Sequence, residues 1–587
     1  MNMRWNLDSL YTSFDSQELQ KDLEETFAEI DRLKLWCKEL DGPKDGVKAA
    51  EHYISQLNVI NDKLALLMNF AELSASTDTK NTDALRLEEK LDVKSVELTE
   101  AQVIFNKWFS SLSNVDSIIE SSPLLREHGF YLREILAKGR YTLSEKEEEI
   151  IARMSNTGSG AWGKLQKALT SNLMAEVTLD GETKEVPISQ AVNMGLSNLK
   201  ETRKAGYEAE LAAYAKIAEP VAACLNGIKG EVLTTSRLRG YASPLEKTLI
   251  DFRMDFDILN AMMSAVKKSL PVFHSYYRKK AAIRGYTKGL PYYELFAPIG
   301  RTDSAFTFGE AGDYVVRSFA GFSSKLAGLA RKAFDSGWID AEPRVGKRGG
   351  AFCSSIHPIR ESRILANFNG SYRSIITLAH ELGHAYHNLN LYDESYINSK
   401  YPSPIAETAS IFCETILQNA SPEASSYEER LAVLDGSLIK ACSLVVDIYS
   451  RYLFETELFK RREQGSLPVE ELKEMMESAQ KEAFGDSLDH SLLHPYMWVN
   501  KPHYYYPERN FYNFPYTFGL LFAKGLYAKY LEDKVNFPAK YDELLSQTGK
   551  KSVGDLTLSV GIDIRTEAFW LESIGQIKAE IDKFLSM

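Results

Sequence analysis

The sequence predicts a mainly α-helical chain with a small amount of β-structure. It divides into a helical N-terminal domain, residues 1–189, and a larger second domain, residues 190–587. Three observations predict this. Apolar residues recur every three or four positions over most of the chain, the spacing of amphipathic helices. Only two windows, 175–189 and 344–370, break that spacing with short extended runs. Apolar residues make up 44% and charged residues 26% of 587, ordinary for a globular protein of several domain-sized units.

Residues 16–170 read as helix after helix. In Glu18 to Trp36 the apolar residues Leu19, Leu23, Phe27, Ile30 and Leu33 mark one buried stripe, and Ile54 to Leu73 and Leu85 to Leu112 repeat the pattern. No fixed-period self-similarity points to a solenoid. At Ala175 to Ser189, Asp180-Gly181 lies between two short extended runs, a hairpin turn signal because Gly accepts φ > 0. The domain boundary is placed just after it, and helical periodicity then continues to about residue 335. Lys347 to Cys353 and Arg363 to Phe368 read as two short strands, with Gly349-Gly350 before the first permitting close backbone approach by another group. Helices dominate from 371 to the end, interrupted by a Tyr- and Pro-rich stretch at 494–516.

The charge balance excludes some partners. With a net charge of −12 the chain is poorly suited to nucleic acid or anionic membrane, which require clustered Lys and Arg. Five scattered cysteines, none in a CxxC pair, read as free thiols in a reducing compartment. No run approaches the length of a membrane span, and the first residues lack the continuous apolar stretch of a secretory signal. The expected location is the cytoplasm.

The sharpest chemical signal is His380-Glu381-Leu382-Gly383-His384, an HExxH. Histidines at i and i+4 stand on one helix face and can reach one ion, while the Glu between them can hold a water beside it. With 10 histidines in 587 residues, chance supplies about 0.02 such motifs. On a helical wheel the two histidines lie within about 40° of each other, and Ile375, Leu378, Leu382 and Leu389 cluster on the opposite side. Catalytic zinc needs a third protein ligand. The metzincin positions for it are filled by His387 and Asn390, which closes that route. The following helical pattern, 405–420, supplies Glu407 as third ligand. Glu414, seven residues on and on the same face, is placed to orient a ligand histidine. His387 reads as a packing or supporting residue. With these groups, zinc lowers the pKa of its water and Glu381 serves as general base, then acid.

These residues, Leu378 to His387 and Ile405 to Ser410 with Glu414, resemble the M3 family of zinc oligopeptidases, and within it the oligoendopeptidase F branch. Leu290 to Pro298, Gly350 to Cys353 and Pro502-His503-Tyr504-Tyr505 agree with it, so the likeness spans roughly residues 190 to 580. The resemblance implies a zincin-like fold of two helical lobes around a deep central channel, with a small β-sheet near the active site. It implies one Zn2+ per chain held by His380, His384 and Glu407, with Glu381 as base. His503, Tyr512 and Tyr516 are implied to face substrate from a C-terminal loop, and the strand at Gly350, Ala351 and Phe352 to pair with the peptide backbone. The expected activity is hydrolysis of internal bonds in short, unstructured peptides with broad specificity. Hydrolysis of non-peptide amides, or silent peptide binding, are the competing readings. Intact Glu381 argues against the silent binder.

Overall fold

Helix formation follows the apolar periodicity from the start of the chain. In the computed structural model, which describes residues 2–40, 45–300, 305–420 and 426–587, the first three long helices are Gln17–Lys38, Gly46–Thr77 and Thr82–Ser111. Each opens on a side-chain cap, Ser16, Asp45 or Asn81, that accepts an otherwise orphaned backbone N–H. Their apolar stripes meet in one core, in which Ile30, Tyr53, Ile60, Leu91 and Phe105 are buried and Tyr53 stacks on Phe105. The chain packs into two compact units, each drawn from three separate stretches. The first comprises Met1–Tyr141, Asp303–Pro422 and Lys529–Ile562, and the second comprises Thr142–Thr302, Glu423–Ala528 and Asp563–Met587.

The first unit also carries a three-stranded sheet in the order β3 (Ile339–Asp340), β5 (Glu361–Leu365), β4 (Phe352–Ile356). Strand β5 is central, parallel to β3 and antiparallel to β4, so β4 is an edge strand. The strand expected to start at Lys347 begins instead at Phe352. The Lys347 ammonium is buried, donating to the carbonyls of Asp340, Glu342 and Ala366, and Gly346 and Gly350 adopt φ of 87° and 84°. These contacts hold residues 347–350 as a loop. Of the three expected pairing residues, only Phe352 lies in the strand, while Gly350 and Ala351 lead into it.

In the second unit, the Asp180-Gly181 hairpin forms as expected. Strand β1 (Met174–Leu179) pairs with β2 (Glu182–Pro187), and Asp180 and Gly181 take φ of 52° and 81°. Positive φ at both central residues is the turn whose twist matches that of the strands. Strand β1 packs on the 40-residue helix Lys200–Arg239, so the position near residue 190 falls within this unit. The Leu290–Pro298 segment is tied down by a buried ion pair. Both carboxylate oxygens of Glu294 accept from Arg203 Nη2 at 2.8 Å, and the two side chains are 0% and 1% exposed. Glu294→Ala leaves Arg203 charged and buried without its partner. Such a loss costs about 3–5 kcal/mol, which denaturant unfolding of the variant would measure.

All five cysteines are unpaired thiols, four of them buried. Among the described residues no helix is long and apolar enough to cross a membrane.

Candidate functional site

The HExxH motif lies on the helix Tyr372–Leu391, opened by a Ser371 cap. The expected apolar face is present, with Ile375, Leu378 and Leu382 fully buried. Neighbours cover most of the remaining surface too, including Glu381 at 5% exposure, while His380 and His384 stay about one-fifth open, at 21% and 19%. Against this helix packs Thr408–Asn419, which starts one residue after Glu407. The two helices cross at Gly383. A Cβ there would stand 2.5 Å from the Ala409 carbonyl oxygen and 2.5 Å from Ser410 Cα. Neither backbone atom can move without shifting Glu407, so glycine sets the spacing between the histidines and the third carboxylate. Gly383→Ala is therefore expected to lose about 1–3 kcal/mol of stability by overpacking. Metal affinity should fall with it, as read by thermal unfolding and metal titration.

The structure brings together the three expected ligands. One donor atom from each of His380, His384 and Glu407 lies within 4.8 Å of the others. His380 Nε2 is 3.3 Å from His384 Nε2 and 3.3 Å from Glu407 Oε2, and His384 Nε2 is 3.8 Å from that oxygen. A tetrahedral zinc with donors at about 2.0–2.1 Å separates them by about 3.3–3.4 Å, so the residues present fit the ion. The far side of each imidazole is also engaged. His380 Nδ1 meets Glu414 Oε1 at 2.5 Å, and His384 makes a backbone hydrogen bond to Ala406. These contacts turn both Nε2 atoms towards a common point.

Electrostatics favour a cation there. Burial alone would lower the His380 imidazole, but Glu407 and Glu414 outweigh it and push it up to about 9. His384, buried beside that charge, is pushed down to about 4. Burial would raise Glu407, yet hydrogen bonding and attraction from the two imidazoles hold it at about 2. In the protein alone, a proton on His380 sits where a dication would replace it.

Ser410 was not singled out from the sequence. Its hydroxyl bonds both the Glu407 carboxylate and the Glu407 carbonyl, each at 2.9 Å, and orients that carboxylate. Its position three residues after Glu407, one helical turn on, is the signal that could have found it. His387 has a packing role: it is fully buried, stacks on Tyr401 at 4.0 Å and pairs with Thr548 Oγ1 at 2.9 Å. Burial pushes its imidazole down to about 3. The edge strand β4 runs beside the motif: the Cys353 thiol is raised chiefly by burial and further by the Glu381 charge.

In the other unit, His503, Tyr512 and Tyr516 come together. The His503 and Tyr512 rings are 4.9 Å apart, and those of Tyr512 and Tyr516 5.9 Å. Tyr506 joins them, 6.0 Å from His503. Pro515 does not break this arrangement; it is the second residue of the helix Phe514–Glu532, where a missing N–H costs nothing.

The chain matches the family model of peptidase family M3 over residues 321–576 and that of the oligopeptidase F N-terminal region over residues 112–174. It is 22% identical to an oligoendopeptidase F homolog of Lactococcus lactis subsp. lactis, covering 96% of this chain and 94% of the relative. It is likewise 22% identical to oligopeptidase PepF of Bacillus subtilis, covering 95% and 83%. In fold it is similar to the crystal structure of oligoendopeptidase-F from Enterococcus faecium, with a TM-score of 0.70, 18% identity and coverage of 97% and 99%. A solved structure from Chlamydophila abortus gives a TM-score of 0.86 at 22% identity, covering 99% of this chain and 98% of that one.

Proposed function

The chain belongs to peptidase family M3 and is a metalloendopeptidase; from that premise we propose that it hydrolyses internal bonds of short, unstructured peptides with one zinc ion. The reading rests above all on one observation: His380, His384 and Glu407 present three donor atoms to one point, with Glu381 on the same helix between the two histidines. We place this chemistry in residues 190–587 and the protein in the cytoplasm. The names of its relatives as oligopeptidases support peptides as the substrate class.

Bound zinc supplies a Lewis acid that polarises the scissile carbonyl and makes water nucleophilic near neutral pH. Glu381 takes a proton from the attacking water and delivers it to the leaving amine nitrogen. Glu414 and the Ala406 carbonyl hold the imidazoles in place, and Ser410 holds Glu407. Strand β4 and the residues leading into it, Gly350 to Phe352, offer backbone groups to an extended peptide, a mode tolerant of side-chain identity. Tyr512 and Tyr516 are assigned to the substrate, their hydroxyls donating to the developing oxyanion, and His503 is assigned beside them. Tyr512→Phe or Tyr516→Phe should then lower kcat by about 100- to 1,000-fold, with a smaller change in KM. If neither substitution does so, the oxyanion donor lies elsewhere.

The deciding experiment is cleavage of peptides graded from about 5 to 30 residues, chains too short to bury a core of their own and so unstructured. Mass spectrometry reads the products with and without a zinc chelator. Internal cuts that vanish with chelator support the proposal. Intact peptides from protein that holds zinc would turn the reading to non-peptide amides or to peptide binding without turnover.

A further inference from the structure

A chain of polar contacts behind His503 belongs to no part of the mechanism above. Asp447 Oδ2 accepts from Arg451 Nη2 at 2.5 Å, and the two side chains are 4% and 14% exposed. Arg451 Nη1 donates to Asn513 Oδ1 at 3.3 Å, and the same Asn513 atom lies 2.8 Å from His503 Nδ1. Asn513 is buried.

The donor inventory settles the direction of these bonds. A guanidinium only donates, so the Asn513 atom it meets is the oxygen and not the amide nitrogen. His503 Nδ1 faces that same oxygen and must itself carry a proton. In the neutral ring, Nε2 is then bare and can only accept. Among the described residues, nothing in the structure pairs with it.

The surroundings hold this arrangement rigidly. Ser443–Asp447 is a π-helical segment between the helices Tyr427–Cys442 and Ile448–Arg462. Such wide turns recur at functional sites. Its Asp447 anchors Arg451, and the Leu444 carbonyl accepts from Thr517 Oγ1 at 2.6 Å, next to Tyr516. Upstream, the fully buried Lys229 ammonium bonds Asn510 Oδ1 at 2.8 Å and Glu455 Oε1 at 2.9 Å. Between these anchors Phe511 adopts φ of 53°, a left-handed conformation that a bulky residue keeps only when its surroundings impose it. Its ring is buried and stacks on Phe459 at 5.6 Å.

We propose that Asp447, Arg451 and Asn513 are positioning residues that fix the His503 proton on Nδ1, so that Nε2 accepts a hydrogen bond from a peptide N–H of the substrate. The second half rests on the assignment of His503 to the substrate made above. It leaves the oxyanion to the tyrosine hydroxyls, because the one donor of a neutral His503, Nδ1–H, is taken by Asn513. Burial lowers the His503 imidazole below its usual value; the bond to Asn513 opposes this, and the charges of Arg451 and Lys501 outweigh the attraction of Glu455. Tyr506 and Tyr512 supply the aromatic rings against it.

The test uses the metal-loaded full chain with ring-15N histidine, the His503 signal being assigned by its loss in His503→Gln. The wild type should show a neutral His503 with the proton on Nδ1. Arg451→Met frees the Asn513 amide to turn, and the Nε2–H form should appear. Asn513→Asp keeps the shape and adds a carboxylate, so the His503 titration should move up by about one pH unit or more. The acid limb of the pH–rate profile should move with it. An Nε2–H ring in the wild type would overturn the proposal. So would a tautomer unchanged in Arg451→Met together with a titration unchanged in Asn513→Asp. If Arg451→Met does not fold, the near-isosteric Asn513→Asp carries the test alone. A tautomer that responds while kcat stays at the wild-type value would overturn the contact with substrate, and with it the role of His503 in turnover, but not the proton placement.

Discussion

Glu381→Gln is expected to retain its metal and to lose turnover by about 1,000- to 10,000-fold, the upper range for removal of a general base. The substitution keeps the size of the side chain and removes its capacity to take a proton. Its site tolerates little else: Glu381 is buried on the HExxH helix, one position from His380, against the strand that carries Cys353. His380, His384 and Glu407 are untouched, so metal content by elemental analysis should equal that of the wild type. The fall should appear in kcat and kcat/KM together, because the proton transfer belongs to the transition state. Turnover near the wild-type rate would remove Glu381 from the mechanism.

The second large effect is loss of the metal itself. His384→Ala or Glu407→Ala leaves two protein donors where three converge. Outer partners of a metal site already cost about 10- to 100-fold in affinity when removed. A direct ligand should therefore cost more than about 100-fold, measured by competition with a chromogenic chelator. Glu407→Ala removes more than a donor atom, because Glu407 is the carboxylate that lies against both imidazoles, while Glu414 meets His380 only. Ser410 keeps only its bond to the residue 407 carbonyl. Full occupancy in both variants would refute the ligand set.

Much of the local structure was legible in the sequence because its causes are local. The amphipathic spacing of residues 16 to 112 places the first three helices to within a few residues, except that Gly46–Thr77 extends further at its N-terminus than the apolar run. Asp180-Gly181 forms its turn because the two positive φ values are properties of those residues and of the strands they join. The start of β4 was not legible. Nothing local marks Lys347 as a residue whose ammonium will be buried on three carbonyls, two of them before it in the chain and one nineteen residues after it.

The candidate site divides along the same line. The i, i+4 spacing of His380 and His384 is helical geometry, readable without any neighbour. The seven-residue spacing predicts Glu407 and Glu414 on one face, but Glu407 stands at the cap of the helix that carries Glu414 rather than within it. Asp447 and Arg451 also stand at i, i+4, but that spacing looks the same on any solvated helix face. Only packing buries the pair and delivers it to Asn513, sixty-odd residues on. Only packing, likewise, makes Gly383 the contact point of two helices. The sequence by itself determined the helical class, the hairpin turn and the candidate set of metal-binding side chains, because each follows from residue type and periodicity. The tertiary structure decided how far apart those ligands stand, which residues steady them and which nitrogen of His503 holds its proton. These depend on atoms brought together from distant parts of the chain, for which no local pattern carries information.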